Sequence, residues 1–244
     1  MDFIYLDPAR RDEHGSRTYA IEDCTPNVLE LRDLLLAKSQ YTLVKLSPML
    51  DWRKAVADFD GTVREVHIVA TGNECKELLL VLGQQVHEEP SAPRVFCVND
   101  NQRIDYDSAA YTQGLRIGGK PLPEVKNYLY EPNASIMKAG CFDLVEERFG
   151  VTQVGPSSHL FVSATPVADF PGRGFAIESI GGMNKKDIKR LLNGTKQANI
   201  AVRNFPLTAP QLRKKLKLAD GGPVYLFGTT MQGCDHVLLR TSKI

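Results

Sequence analysis

Phe3-Ile4-Tyr5-Leu6-Asp7-Pro8-Ala9-Arg10-Arg11 governs how the rest of the chain reads. Its first four residues form an apolar run of strand type without alternation. That is the mark of a strand covered on both faces, as in a parallel sheet. Asp7-Pro8 ends the run, because proline has no N–H to give to a ladder. Such a strand needs neighbours, and the following sequence supplies them. After a polar loop to Cys24, Thr25-Pro26-Asn27 starts a helix, with Val28, Leu31, Leu34 and Leu35 at helical spacing up to Lys38. Tyr41 to Leu46 is a second strand, Asp51 to Phe59 a short helix and Val63 to Ala70 a third strand. Asn73 to Leu82 reads as a leucine-rich helix, and Arg94 to Asn99 as a fourth strand. Strands alternating with helices imply an α/β layered sheet with right-handed crossovers.

The pattern changes near residue 100. Residues 101–132 are polar and rich in glycine and proline (Gly114, Gly118, Gly119, Pro121, Pro123), consistent with loops and one or two short strands. Asn133 to Phe149 reads as one helix, with strands at Leu160 to Ser163 and Phe175 to Ile180. In the last stretch Asn184 caps a helix to Leu192, ended by Gly194. Ala198 to Arg203 is a strand. Thr208 caps a second helix, with Pro210 in its first turn. Two further strands, Val224 to Gly228 and Val237 to Arg240, complete a small α+β domain. Three segments follow: 1–100, 101–172 and 173–244.

Of the 244 residues, 43% are hydrophobic and 24% charged, which excludes disorder as the main state. No apolar stretch is long enough to span a bilayer, and Asp2 and Asp7 oppose a signal peptide. Five scattered cysteines without a CxxC pair argue against a disulfide framework and a structural zinc. No metal is expected, and a reducing cytoplasm is. The net charge of +1 conceals an asymmetry: residues 1–89 carry a net of −6 and residues 161–244 a net of +8. A basic end on a neutral chain points to an anionic partner.

Ligands of open α/β sheets bind beyond the carboxyl ends of the strands. Three polar stretches fall there: Asp7-Pro8 with Arg10 and Arg11, then Lys45 with Ser47, then Asn73 with Glu74. Each has a plainer reading. Asp-Pro terminates a strand, Lys45 snorkels, and Asn73 caps a helix. Cys75 reads as structural, since no histidine stands in a recognisable catalytic relation to it.

Ile4-Tyr5-Leu6-Asp7-Pro8-Ala9-Arg10 resembles the fourth motif of class I S-adenosylmethionine-dependent methyltransferases, departing from it at Ala9 and Arg10. Lys45-Leu46-Ser47-Pro48 and Asn73-Glu74-Cys75-Lys76-Glu77-Leu78-Leu79 extend the likeness. They resemble the second half of the methyltransferase domain in a bacterial family that also has ferredoxin-like and THUMP-like domains. Tyr130-Glu131-Pro132-Asn133-Ala134 and Phe170-Pro171-Gly172-Arg173 resemble its middle domain, and Arg203-Asn204-Phe205-Pro206-Leu207 its last. The resemblance implies a partial Rossmann-like sheet, with S-adenosylmethionine as cofactor near Asp7 and Pro8. It implies catalytic-edge roles for Asp7, Pro8, Arg10, Arg11, Lys45, Ser47, Asn73 and Glu74. No glycine-rich loop follows an early strand, so the chain reads as a fragment expected to bind cofactor weakly and to be inactive alone.

Ten basic residues against one acidic residue lie between Met183 and Lys217. Lys185 with Lys189, and Lys186 with Arg190, are like-charge pairs one helical turn apart, which destabilise an isolated helix. Lys196, Arg203, Arg213, Lys214 and Lys215 extend the set, which suits phosphate. Phe205 is either a stacking platform or core. The expected activity is methylation of rRNA or tRNA by the intact family member. The alternatives are a non-catalytic RNA-binding module with a vestigial half-sheet, and an unrelated enzyme using Lys45 and Glu74.

Overall fold

A computed structural model describes residues 2–9, 21–84, 92–111, 126–233 and 235–244. Arg10, Arg11 and the glycines at 114, 118 and 119 lie outside the described residues. The chain divides into two units, Met1–Gln113 with Ala134–Gly140, and Gly114–Asn133 with Cys141–Ile244.

In the first unit, β1 (Phe3–Leu6), α1 (Val28–Lys38), β2 (Tyr41–Leu46), α2 (Trp52–Asp58) and β3 (Val63–Thr71) follow the expected order. Asn27 caps α1 and Asp51 caps α2, each side chain accepting from a backbone N–H. The next element departs from expectation. Residues 74–83 form a strand, β4 (Glu74–Gly83), rather than a helix. Gly72 and Asn73 both take left-handed φ, +58° and +63°, and so turn β3 directly into β4. A two-residue hairpin of this kind needs positive φ at both central positions, which Gly and Asn tolerate best. Leu78, Leu80 and Leu82 are fully buried while Leu79 and Val81 are not, a period of two. Leucine's helical preference yields to this two-sided pairing, since β4 lies between β2 and β3.

β5 (Arg94–Asn99) and β6 (Gln102–Asp107) complete a sheet of order β1-β2-β4-β3-β5-β6. β1, β2, β3 and β5 run parallel, and β4 and β6 run against them. One face is core: Val44, Leu80, Ile68 and Cys97 are at most 1% exposed. α1 packs on β2, and α3 (Ala134–Ala139) on β3, β4 and β5. The buried Trp52 of α2 donates its indole N–H to Ala139 O at 3.2 Å. The opposite face, with Leu43, Leu79 and Val98, is only half-buried. β1 is an edge strand whose Phe3 and Tyr5 are each 53% exposed. Among the described residues β1 pairs on one side only, with β2, so cover on both faces is not seen.

In the second unit, β7 (Tyr128–Pro132), α4 (Phe142–Phe149), β8 (Thr152–Gln153), β9 (Phe161–Ser163) and β10 (Gly172–Gly181) lead into α5 (Lys185–Leu192). β11 (Asn199–Arg203), α6 (Ala209–Leu216), β12 (Val224–Thr230) and β13 (His236–Lys243) follow. The single helix expected over 133–149 is two, α3 and α4, separated at Gly140 with φ +68°. The strands form one seven-stranded sheet, β11-β12-β13-β10-β7-β9-β8. On one face α5 and α6 bury Leu191, Leu212 and Leu216 against Leu226 and Leu238. The other face buries Leu129, Val162, Phe175, Phe227 and Leu239. α6 opens with a complete capping box, Thr208 with Gln211.

Candidate functional site

Because β1, β2, β3 and β5 are parallel, their carboxyl ends share one edge. Asp7 and Pro8 follow β1, Lys45 and Ser47 stand at the end of β2, Asn73 lies in the β3–β4 turn and Glu74 opens β4. The Asp7 loop is fixed by a two-bond bridge: Ala9 N–H donates to Thr25 O at 2.8 Å, and Thr25 N–H donates back to Ala9 O at 3.0 Å. Lys45 Nζ donates to Asp7 Oδ2 at 3.0 Å and lies 3.6 Å from Glu77 Oε1. Its pKa is raised, first by the hydrogen bond it donates to Asp7 and then by the charge of Glu77. Lys45 is thus a fixed cation and not a neutral base or nucleophile at pH 7.

Other edge residues hold the fold. Asn73 Oδ1 accepts from Ala134 N–H at 2.8 Å, so Asn73 caps a helix, but α3 rather than one of its own. Its own N–H donates to Asn99 Oδ1 at 3.2 Å. Glu74 pairs with Lys76 at 2.5 Å, and Ser47 Oγ accepts from Met49 N–H at 3.3 Å. Lys45 and Glu74 therefore have separate partners. Burial pushes the Cys75 thiol up, against reactivity. A cleft of about 640 Å³ lies at the opposite edge, lined by Lys38, Tyr41, Arg64, Glu65 and Arg94 among others. None of the residues singled out from sequence lines it. Among the described residues no cluster suits a metal ion, and no helix is long and apolar enough to cross a membrane.

In the second unit the basic residues sort by type. Lys185, Lys186, Lys189, Lys196, Lys214, Lys215 and Lys217 are exposed and make no side-chain hydrogen bond or ion pair among the described residues. The arginines are engaged. Arg190 donates to Ile180 O at 2.8 Å and to Asp187 at 3.1 Å. Arg213 donates to Ala198 O and Ala219 O, both at 2.9 Å, and pairs with Asp220 at 2.6 Å. Arg203 donates to Glu131 Oε1 at 2.7 Å. Phe205 packs into the α5–α6 core and edge-on to His236. It is half-buried against that core.

Sequence reasoning did not isolate Glu131, which is 3% exposed. It accepts from Arg173 Nε at 3.0 Å, from Arg173 Nη2 and from Arg203. The signal was present in three short stretches, Tyr130-Glu131, Gly172-Arg173 and Arg203-Asn204. Sequence could not show that they converge.

Residues 128–171 match the model of a ferredoxin-like domain and residues 172–243 that of a THUMP-like domain. The chain carries these two domains. Across 99% of its length it also matches the crystal structure of a "putative methyltransferase from Porphyromonas gingivalis W83", at 35% identity and a TM-score of 0.86. The chain spans 59% of that longer chain. No curated protein matches it. One seven-stranded sheet runs through the ferredoxin-like and THUMP-like segments, with β10 opening the second of them.

Proposed function

We propose that this chain is the target-positioning and RNA-holding part of an S-adenosylmethionine-dependent methyltransferase of rRNA or tRNA. The observation that carries the reading is the set of seven unpartnered lysines in the THUMP-like domain. The likeness over 99% of the chain to a protein named as a methyltransferase supports the enzyme class. Lysines without protein partners are suited to phosphate, where counterion release drives association without reading bases. At the sheet edge, the Asp7 carboxylate or the adjacent backbone carbonyl would accept from a target amino group. Lys45 keeps that carboxylate oriented, Pro8 stiffens the loop, and Arg10 and Arg11 would meet a phosphate. A supply of S-adenosylmethionine would furnish the methyl group. The described edge residues do not by themselves fit that cofactor. Among the described residues no glycine-lined strand-to-helix turn stands at this edge. A cytoplasmic setting belongs to the same reading.

Filter binding of a structured RNA at rising salt tests the RNA role. Affinity should fall linearly on a log–log plot, and a flat plot sinks the reading. The alternative is a non-catalytic RNA-binding module. Isothermal titration with S-adenosylmethionine separates it from the enzyme. Weak but saturable heat marks the methyltransferase part, while no heat at millimolar cofactor supports the module.

A further inference from the structure

We infer that Arg173 and Arg203, held together by the buried Glu131, form a clamp for a single RNA phosphodiester, distinct from the lysine-bearing helices. The inference rests on the RNA reading above and goes beyond it in naming the contact. Gly172 makes the geometry possible: a side chain there would overlap the carbonyl oxygen of Glu131, so only glycine lets β10 approach β7 this closely. The approach sets Arg173 opposite Glu131 in the ladder register. Arg203, at the end of β11, reaches the same carboxylate from the THUMP-like segment.

The charge count leaves a surplus. One carboxylate with 4% side-chain exposure meets two guanidiniums, so the group carries one net positive charge. A phosphodiester carries one negative charge. The Arg173 and Arg203 side chains are 44% and 39% exposed, while the carboxylate is not. Donors remain. Arg173 uses Nε and Nη2 on Glu131, and no partner of its Nη1 is present among the described residues. Arg203 uses Nη2 on Glu131 and Nη1 on Val202 O at 3.1 Å, while its Nε is buried without a partner. The open Nη1 of the exposed Arg173, on a planar charged fork, suits a phosphate oxygen. His159 adds no competing positive charge, since burial and Arg203 both lower its pKa.

Arginine footprinting on the full chain tests this without a variant. With a structured RNA bound, Arg173 should lose at least several-fold of its reactivity toward phenylglyoxal, alongside protection of Lys185 and Lys214 from acetylation. Protected lysines with Arg173 still fully reactive overturn the clamp and leave the RNA reading standing. No protection anywhere overturns both. Inorganic phosphate at the same phosphate concentration should leave Arg173 reactive, and equal protection by it overturns the assignment to RNA. A second measurement uses Arg173→Gln and Arg173→Lys. The glutamine variant should reduce the slope of log affinity against log salt by about 0.7–0.9, one phosphate contact, while lysine retains it. An unchanged slope in a folded Arg173→Gln variant overturns the clamp. A glutamine variant that fails to fold leaves the footprint to decide.

Discussion

The two charged regions of this chain treat their ions in opposite ways. At the carboxyl edge of the first sheet every charge singled out from sequence and described here has a partner: Asp7 with Lys45, Lys45 with Glu77, and Glu74 with Lys76. On α5, α6 and the turns that follow them, seven lysines have none among the described residues. Partnered charge orients a loop, and unpartnered charge is available to something else. The difference distinguishes the proposed positioning surface from the proposed binding surface without any appeal to overall net charge. Surface lysines cost little to change, so the sharpest way to break the contrast is charge reversal. Lys185→Glu, Lys189→Glu, Lys214→Glu and Lys215→Glu combined should weaken RNA binding by roughly 10²–10³-fold at moderate salt and flatten its salt slope by about three. Thermal stability should stay within about 0.5 kcal/mol, because none of the four makes a contact that folding needs. Retained affinity in filter binding would end the proposed binding role of these lysines.

Within the second unit the same contrast divides arginine from lysine. Arg190, Arg203 and Arg213 tie backbone carbonyls or carboxylates of other elements, as does Arg240, whose Nη1 donates to Leu191 O at 2.9 Å and Leu192 O at 3.0 Å. Glu131→Ala should therefore cost stability where the lysine variants do not. Removing a buried carboxylate leaves two guanidiniums facing each other. Because both are partly solvated, the loss is about 2–3 kcal/mol, below the usual figure for a fully buried pair. Urea denaturation measures it, and a midpoint unchanged from wild type would show that solvent already carries those charges. Asn73→Gly sharpens the first region in the same way. Glycine keeps the left-handed φ of +63°, so the variant loses only the cap on Ala134, worth about 1 kcal/mol.

Much of the first sheet was legible because period and punctuation agreed. Asn27 and Asp51 cap the helices they precede, and Pro8 and Pro48 close the strands before them. The order of strands β1, β2, β3 and β5, and the shared edge of Asp7, Lys45 and Asn73, followed from that alone. The leucine-rich stretch 74–83 misread because leucine favours helices in isolation, while the alternation of buried Leu78, Leu80 and Leu82 is set by neighbours on both sides. The division of the basic residues into bound arginines and unbound lysines was not legible at all. Partners such as Ile180 O, Ala219 O and Glu131 lie up to 72 residues away in sequence, and charge counts weigh Arg and Lys alike.

The smallest effect concerns pH and falls on His159, which stacks on Phe142 with ring centroids 4.6 Å apart. Burial disfavours its imidazolium, and the positive charge of Arg203 opposes it further, so its folded-state pKa lies below the ordinary 6.5. At pH 7 and above the ring is neutral in both folded and unfolded chains, and pH has no leverage through it. As pH falls below about 6.5 the unfolded chain takes up the proton first, and stability drops until the folded-state value is also passed. The melting temperature should therefore be level above about pH 7 and descend between about pH 6.5 and 5, before carboxylates enter. His159→Asn keeps a residue that tolerates the φ of +51° and removes the titration. A descent that persists unchanged in that variant would assign the slope to other groups. A level curve would assign the acid sensitivity to the titration of His159, whose imidazolium burial disfavours first and Arg203 second.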